Sequence, residues 1–120
     1  LTRAFLPHLK ASDQARIVNV SSLFGLIAPP GQTAYCAAKF AVRGFSESLR
    51  RELEEAGSSV GVTVVHPGGI NTDIARNARP PRHVTNEEAS LIAAERDRFQ
   101  KFLCMSPVQA GEIIVAGIEK

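Results

Sequence analysis

Two short β-branched runs, separated by a long helical stretch, constrain the fold of this chain more than any other feature. Arg16–Val20 and Val60–His66 are apolar without a polar alternation, as expected of strands buried in a parallel sheet. Between them, residues from about Thr33 to Ala56 repeat apolar side chains at helical spacing, and Gly57 is a natural stop. Parallel strands need such a helical crossover, which is almost always right-handed. The pattern therefore predicts an α/β fold built from βαβ units.

Three further helices are expected from local signals. Leu1–Lys10 carries apolar side chains at helical spacing. Thr85 and Glu88 form a capping box for a helix that runs to about Phe102. Ser106 is an N-cap for a last helix that ends near Glu119. The face of the long central helix that is predicted to pack on the sheet consists of Ala34, Ala38, Ala41, Phe45, Leu49 and Leu53.

Tyr35 and Lys39 are the candidate catalytic pair. Their four-residue spacing puts a phenol and an ammonium on one face of a helix, one turn apart. The pKa of an unperturbed tyrosine is about 10, and a neighbouring cation lowers it towards the working range of a general acid and base. Ser22 lies thirteen positions before Tyr35 and closes the first strand. Its hydroxyl is placed to bind a substrate oxygen.

The predicted topology brings these residues to one edge of the sheet. Ligands of open parallel sheets bind just beyond the carboxyl ends of the strands. Ser22 follows the first predicted strand, and the turn Pro67–Gly68 follows the second. A hydroxyl, a phenol with an adjacent cation and a backbone turn are what hydride transfer to a carbonyl needs.

These motifs resemble the short-chain dehydrogenase/reductase family. The resemblance covers nearly the whole chain and is carried by Asn19-Val20-Ser21-Ser22, Tyr35-x-x-x-Lys39, Pro67-Gly68-Gly69-Ile70-Asn71-Thr72 and Ser106-Pro107. It implies a Rossmann-like, doubly wound parallel sheet and an NAD- or NADP-dependent oxidoreductase that interconverts an alcohol and a ketone or aldehyde. It also implies a homo-oligomer in the full-length enzyme.

The resemblance assigns a role to each matching position. Ser22 orients the substrate oxygen, Tyr35 transfers the proton, and Lys39 binds the nicotinamide ribose and lowers the pKa of the tyrosine. The turn after the second strand holds the nicotinamide carboxamide. The implied cofactor-binding residues are Tyr35, Lys39, Pro67, Gly68, Ile70 and Thr72.

One family motif has no counterpart in this sequence. Family members open with a strand, a glycine-rich turn and a helix that cradle the cofactor pyrophosphate, and no such glycine motif occurs here. We therefore expect residues 1–120 to be a partial NAD(P)-binding domain that lacks its N-terminal nucleotide-binding half. A substrate-loop segment is expected at about residues 76–105, starting in the arginine- and proline-rich loop 76–83. The 120 residues alone are expected to be inactive and prone to aggregation.

Other interpretations stay open at the level of sequence. Ser21 is the rival to Ser22, although the spacing to Tyr35 favours Ser22. Cys36 is expected to pack as a small hydrophobic residue, and His66 as a packed histidine. The chain as a whole is alternatively a truncated, inactive fragment or a non-enzymatic module that keeps the nucleotide fold. The choice between NAD and NADP and the identity of the substrate are undetermined.

Composition excludes several classes of function. A net charge of +2 on 120 residues is too small to indicate nucleic-acid binding. No apolar stretch approaches the roughly 20 residues that span a bilayer. Cys36 and Cys104 do not make a disulfide framework, and no spacing of histidine and cysteine indicates a metal site. The expected partner is a small-molecule alcohol or carbonyl substrate, in a cytoplasmic setting.

Overall fold

Seven elements of secondary structure follow one another in the computed structural model, which describes residues 1–79 and 82–119. No helix in these residues is long and apolar enough to cross a membrane. The chain divides into two compact units, Leu1–Pro67 with Ile114–Lys120, and Gly68–Ile113. The elements are α1 (Thr2–Lys10), β1 (Arg16–Val20), a 3₁₀ helix (Leu23–Gly25), α2 (Thr33–Glu55), β2 (Gly61–Val65), α3 (Asn86–Phe102) and α4 (Pro107–Ile118).

The two strands pair in parallel, which confirms the predicted α/β class. Their register runs from Arg16 opposite Gly61 to Val20 opposite Val65. The helix α2 is the crossover between them, and Gly57 at φ 64° follows its end, as the sequence predicts.

The hydrophobic core of the first unit lies between the sheet and the second half of α2. Ile17 of β1, Val62 of β2 and Val60, which precedes β2, contribute to it, because successive side chains of extended chain point to opposite faces. Burial of one such aliphatic side chain stabilises the fold by about 1.5–3 kcal/mol. The core consists of Ile17, Leu49, Leu53, Val60 and Val62, with Leu6, Leu9 and Ala15 packed against it.

The opposite face of the sheet differs from the sequence prediction. The apolar strands predict burial on both faces, but Val18 is 36% and Val20 55% exposed. These two residues alternate with Ile17 and Asn19, which point towards α2, so they emerge on the other side. In the described part of the chain, the sheet is covered on the α2 side.

The buried stripe of α2 is also shifted from the predicted one. Phe45 is 53% exposed, whereas its neighbour Ser46 is completely buried. The hydroxyl of Ser46 donates to Val42 O at 2.7 Å and accepts from Asn19 Nδ2 at 2.8 Å. Because the hydroxyl of Ser46 both donates and accepts a hydrogen bond, this serine can lie in the core. Periodicity alone places its neighbour Phe45 there instead. The prediction is right for Leu49 and Leu53 and wrong for Phe45 and the alanines before it.

The second unit is organised around a short parallel bridge between Ile70 and Met105. Met105 N donates to Gly69 O at 3.0 Å, and Asn71 N donates to Met105 O at 2.8 Å. Gly69 has φ 66°, and a Cβ there would lie 3.0 Å from Phe102 O, so only glycine fits. Within the predicted loop 76–83, Pro80 and Pro81 lie outside the described residues.

Both predicted helix starts in the C-terminal part are confirmed. Glu88 N donates to Thr85 Oγ1 at 3.2 Å, and Thr85 N donates to Glu88 Oε2 at 2.7 Å, which completes the capping box of α3. At α4, Gln109 N donates to Ser106 Oγ at 3.1 Å.

The capping box makes the start of α3 sensitive to acid. The hydrogen bonds from the Thr85 backbone N–H and then its side chain hold the pKa of Glu88 below its ordinary 4.5. The stability that the ionised Glu88 carboxylate gives to the start of α3 is therefore fully present above pH 4.5. It is lost as the pH falls through the lower pKa of the folded state. We expect an NMR titration to place the Glu88 carboxyl midpoint below 4.5, and Thr85→Ala to move it part of the way back.

A matched variant tests the same point through the helix itself. In Glu88→Gln the carboxylate of the capping box is gone and Glu87 is the remaining acidic residue of the first turn of α3. The hydrogen-exchange protection of that turn should therefore respond less to pH between 3 and 5 than in the wild type. An unchanged acid response in Glu88→Gln would contradict this assignment.

Candidate active site

The end of β1 holds Lys39 of α2 by two different atoms. Val20 O accepts a hydrogen bond from Lys39 Nζ at 3.3 Å. Ser21 Oγ donates to the backbone carbonyl of Lys39 at 2.8 Å. Ser21 is only 3% exposed, and its N–H donates to Val65 O at 2.8 Å, which continues the pairing with β2. The last residue of β1 and the residue that follows it thus contact the side-chain tip and the main chain of one lysine.

Ser22 follows directly and caps the 3₁₀ helix. Its Oγ accepts from Phe24 N at 3.2 Å, and its backbone is extended at φ −163°. Accepting this bond uses a lone pair of the hydroxyl, so its O–H can still donate to a ligand oxygen. His66 Nδ1 donates to Ser22 O at 3.0 Å, which assigns the proton to Nδ1 because a carbonyl only accepts.

Tyr35 lies on the first turns of α2, in contact with Lys39. The Lys39 Nζ atom is 5.6 Å from the centroid of the Tyr35 ring. Phe24 packs edge-on against the same ring, with centroids 6.1 Å apart and planes at 86°. The side of Tyr35 away from these contacts is accessible, since the residue is 41% exposed.

These contacts bring the three predicted catalytic residues into one connected group. Ser22 bonds to Phe24, Phe24 packs on Tyr35, Tyr35 lies beside Lys39, and Lys39 returns to the strand at Val20. Sequence reasoning missed Phe24, because an aromatic residue in a loop carries no periodic signal.

The predicted cofactor-binding turn falls at the boundary between the two units. Pro67 belongs to the first unit, and its carbonyl accepts from Leu23 N at 2.9 Å. Gly68, Ile70 and Thr72 belong to the second unit, where Thr72 N donates to Ile70 O at 3.0 Å.

Gly25 permits the close approach of the strand end to α2. A Cβ built on Gly25 would collide with Ser21 Oγ and would lie 3.0 Å from Lys39 O. Glycine is therefore required here for space rather than for a special φ. The sequence analysis missed this requirement, because a glycine in a loop gives no sign of which side chain lies against it.

Cys36 and His66, which the sequence predicts to pack rather than react, are both at least partly buried. Cys36 is 6% exposed, with Sγ 4.0 Å from Ile27 O, and packs as a small hydrophobic residue as predicted. His66 is partly buried and bonded to the backbone of Ser22, as expected of a packed histidine.

Comparison with known proteins identifies the family of this chain. The family of short chain dehydrogenases matches residues 1–83. "Putative oxidoreductase SadH" of Mycobacterium tuberculosis is 53% identical over 119 residues, which cover 99% of this chain and 41% of that protein. Dehydrogenase/reductase SDR family member 7B of Mus musculus is 44% identical over 78 residues, 65% of this chain and 24% of that protein.

Solved structures of short chain dehydrogenases superpose on this chain. A short chain dehydrogenase/reductase from Burkholderia phymatum in complex with NAD superposes with a TM-score of 0.73 at 27% identity, covering 98% of this chain and 43% of that one. A short chain dehydrogenase from Burkholderia cenocepacia in complex with NADP gives 0.56 at 29% identity, covering 87% and 53%.

This chain belongs to the short-chain dehydrogenase family, because the family match spans most of its length. Its fold is part of the Rossmann-like α/β fold of these relatives, as the sequence predicts. The chain spans 41% of the mycobacterial relative and 43% of the Burkholderia phymatum structure, less than half of either.

The close contact at Gly25 has a measurable consequence. We expect Gly25→Ala to lower the free energy of unfolding by about 1–3 kcal/mol, the usual cost of forcing an extra carbon into a packed site. Thermal or denaturant unfolding of the protein at its full natural length measures the change.

Gly44→Ala is the matched control. Gly44 lies within α2, and a Cβ there meets nothing within 4 Å. Alanine should therefore stabilise the helix by about 0.5–1 kcal/mol. If both glycine variants gained stability, the crowding at Gly25 would be refuted.

Proposed function

We propose that this chain carries the proton-transfer site of an NAD- or NADP-dependent oxidoreductase that interconverts an alcohol and a ketone or aldehyde. The observation that carries the proposal is the Lys39 ammonium, 5.6 Å from the centre of the exposed Tyr35 ring and bonded to the strand end that bears Ser22. The oxidoreductase names of the relatives support the same reaction class.

The residues present fit a nicotinamide cofactor. An ammonium has three N–H donors, and Lys39 directs one of them to Val20 O, which leaves donors for ribose hydroxyls. Tyr35 offers its hydroxyl from an exposed position beside that ammonium. The proposed cofactor-binding residues are Tyr35, Lys39, Pro67, Gly68, Ile70 and Thr72. Solved relatives in complex with NAD and with NADP support a cofactor of this class.

The proposed mechanism assigns one task to each catalytic side chain. In alcohol oxidation, Ser22 Oγ–H donates to the substrate oxygen and orients it, and Tyr35 Oη takes the hydroxyl proton. The Lys39 ammonium supplies the positive charge that compensates the phenolate. A nicotinamide held by Tyr35 and Lys39 would supply the acceptor for the hydride that leaves the carbinol carbon. In the reverse direction, Tyr35 returns the proton to the carbonyl oxygen.

The domain assignment belongs to the same proposal. Residues 1–120 are taken as part of an NAD(P)-binding domain, with a substrate-selecting segment at about 76–105. That segment exposes large apolar side chains, including Leu91 at 62% and Phe102 at 75%, which favours an apolar substrate.

The decisive variant is Tyr35→Phe, which keeps the ring and removes the proton. We expect turnover to fall by about 10²–10⁴-fold, the usual contribution of a general acid and base, while cofactor affinity is largely kept. The measurement follows nicotinamide absorbance with NAD and NADP and a panel of primary, secondary and benzylic alcohols, in the protein at its full natural length.

Companion variants separate the three roles. Lys39→Ala should weaken both turnover and cofactor affinity, and Ser22→Ala should lower turnover. Phe45→Leu, an exposed aromatic residue on the same helix, should change neither. Near-wild-type turnover in Tyr35→Phe would remove the mechanism and leave only the fold.

A further inference from the structure

Lys39 is held at its side-chain tip by Val20, the last residue of β1, and at its backbone carbonyl by Ser21, which follows the strand. Lys39 Nζ donates a hydrogen bond to Val20 O at 3.3 Å, and Ser21 Oγ donates one to Lys39 O at 2.8 Å. A free lysine side chain carries about 2 kcal/mol of rotamer entropy, so its ammonium samples many positions unless a contact restricts it. Here the end of β1 holds both the ammonium and the backbone carbonyl of Lys39.

Ser21 is rigidly attached to the sheet. It is 3% exposed, and its N–H donates to Val65 O at 2.8 Å, which anchors its backbone to β2. Gly25 approaches the hydroxyl so closely that a Cβ there would collide with it. The hydrogen bond from the Ser21 hydroxyl therefore fixes the backbone of Lys39 relative to the sheet.

The hydrogen bond is not needed to satisfy the carbonyl that it contacts. Lys39 lies in the interior of α2 (Thr33–Glu55), where carbonyls accept from the N–H four residues later. A carbonyl oxygen has two lone pairs, and Ser21 takes the second. The bond thus adds a directional link between strand and helix, at the one helical residue whose ammonium faces Tyr35.

We propose that Ser21 is a positioning residue, which sets the Lys39 ammonium relative to Tyr35 and the bound nicotinamide ribose. The inference rests on the proposed function, because it gives Lys39 its task. Ser21 touches neither substrate nor cofactor and acts through Lys39 alone.

The test compares Ser21→Ala with Ser46→Ala in the protein at its full natural length. Ser46 is the matched control, because it is a buried serine that links the same strand to the same helix through Asn19 and Val42. Both variants lose a buried hydroxyl, so both should lower the melting temperature. Ser21→Ala should also weaken NADH or NADPH affinity and lower turnover by about three- to tenfold each, the effect of one hydrogen bond. Ser46→Ala should change neither.

A double-mutant cycle identifies the route of the effect. In a Lys39→Ala background, Ser21→Ala should still lower the melting temperature but should add nothing to the loss of nucleotide affinity or turnover. If Ser21→Ala does not fold, Ser21→Cys takes its place, since a thiol of similar size is a weak donor.

The outcomes separate this inference from the function on which it rests. Wild-type affinity and turnover in Lys39→Ala would overturn the proposed function. Impairment in Lys39→Ala, together with Ser21→Ala behaving like Ser46→Ala or adding to Lys39→Ala, would overturn the positioning role alone.

Discussion

The parallel pairing of β1 with β2 is the constraint on which the rest of the first unit depends. Two parallel strands cannot be joined by a hairpin, so the chain must cross over the sheet, and α2 is that crossover. The same geometry places the carboxyl ends of both strands at one edge. Ser22 and Pro67 follow those ends, and the 3₁₀ helix between them bonds to Pro67. The site is therefore a consequence of strand direction before any catalytic residue is considered.

Hydrophobic burial attaches α2 to the sheet, but it is not directional. Ile17, Leu49 and Val62 would tolerate small shifts of the helix along the strands. The two serine contacts are directional: Ser46 joins Asn19 of β1 to Val42, and Ser21 joins the strand end to Lys39. One contact lies at the core and the other at the site, so the helix is located along its length. Such buried polar links give a single arrangement where apolar packing gives several.

The sequence predicted the elements well because their signals are local. The capping box of α3 and the bounds of α2 depend on neighbouring residues, and the structure confirms them. The sequence predicted burial less well. It assigned Phe45 to the core and did not single out Ser46, because periodicity ranks residues by hydrophobicity and cannot anticipate that Asn19 satisfies a buried hydroxyl. It likewise treated both faces of β1 as buried, whereas Val20 is half exposed.

The sequence by itself determined the α/β class, the helical spacing of Tyr35 and Lys39, and the position of Ser22 at a strand end. Each follows from the periodicity of a helix or a strand, which a few residues are enough to specify. Only the tertiary structure decided that Ser21 bonds to Lys39, that Phe24 packs on Tyr35, and that Gly25 must lack a side chain. These contacts join segments that are distant along the chain, and their partners are chosen by packing in three dimensions, which no local pattern encodes.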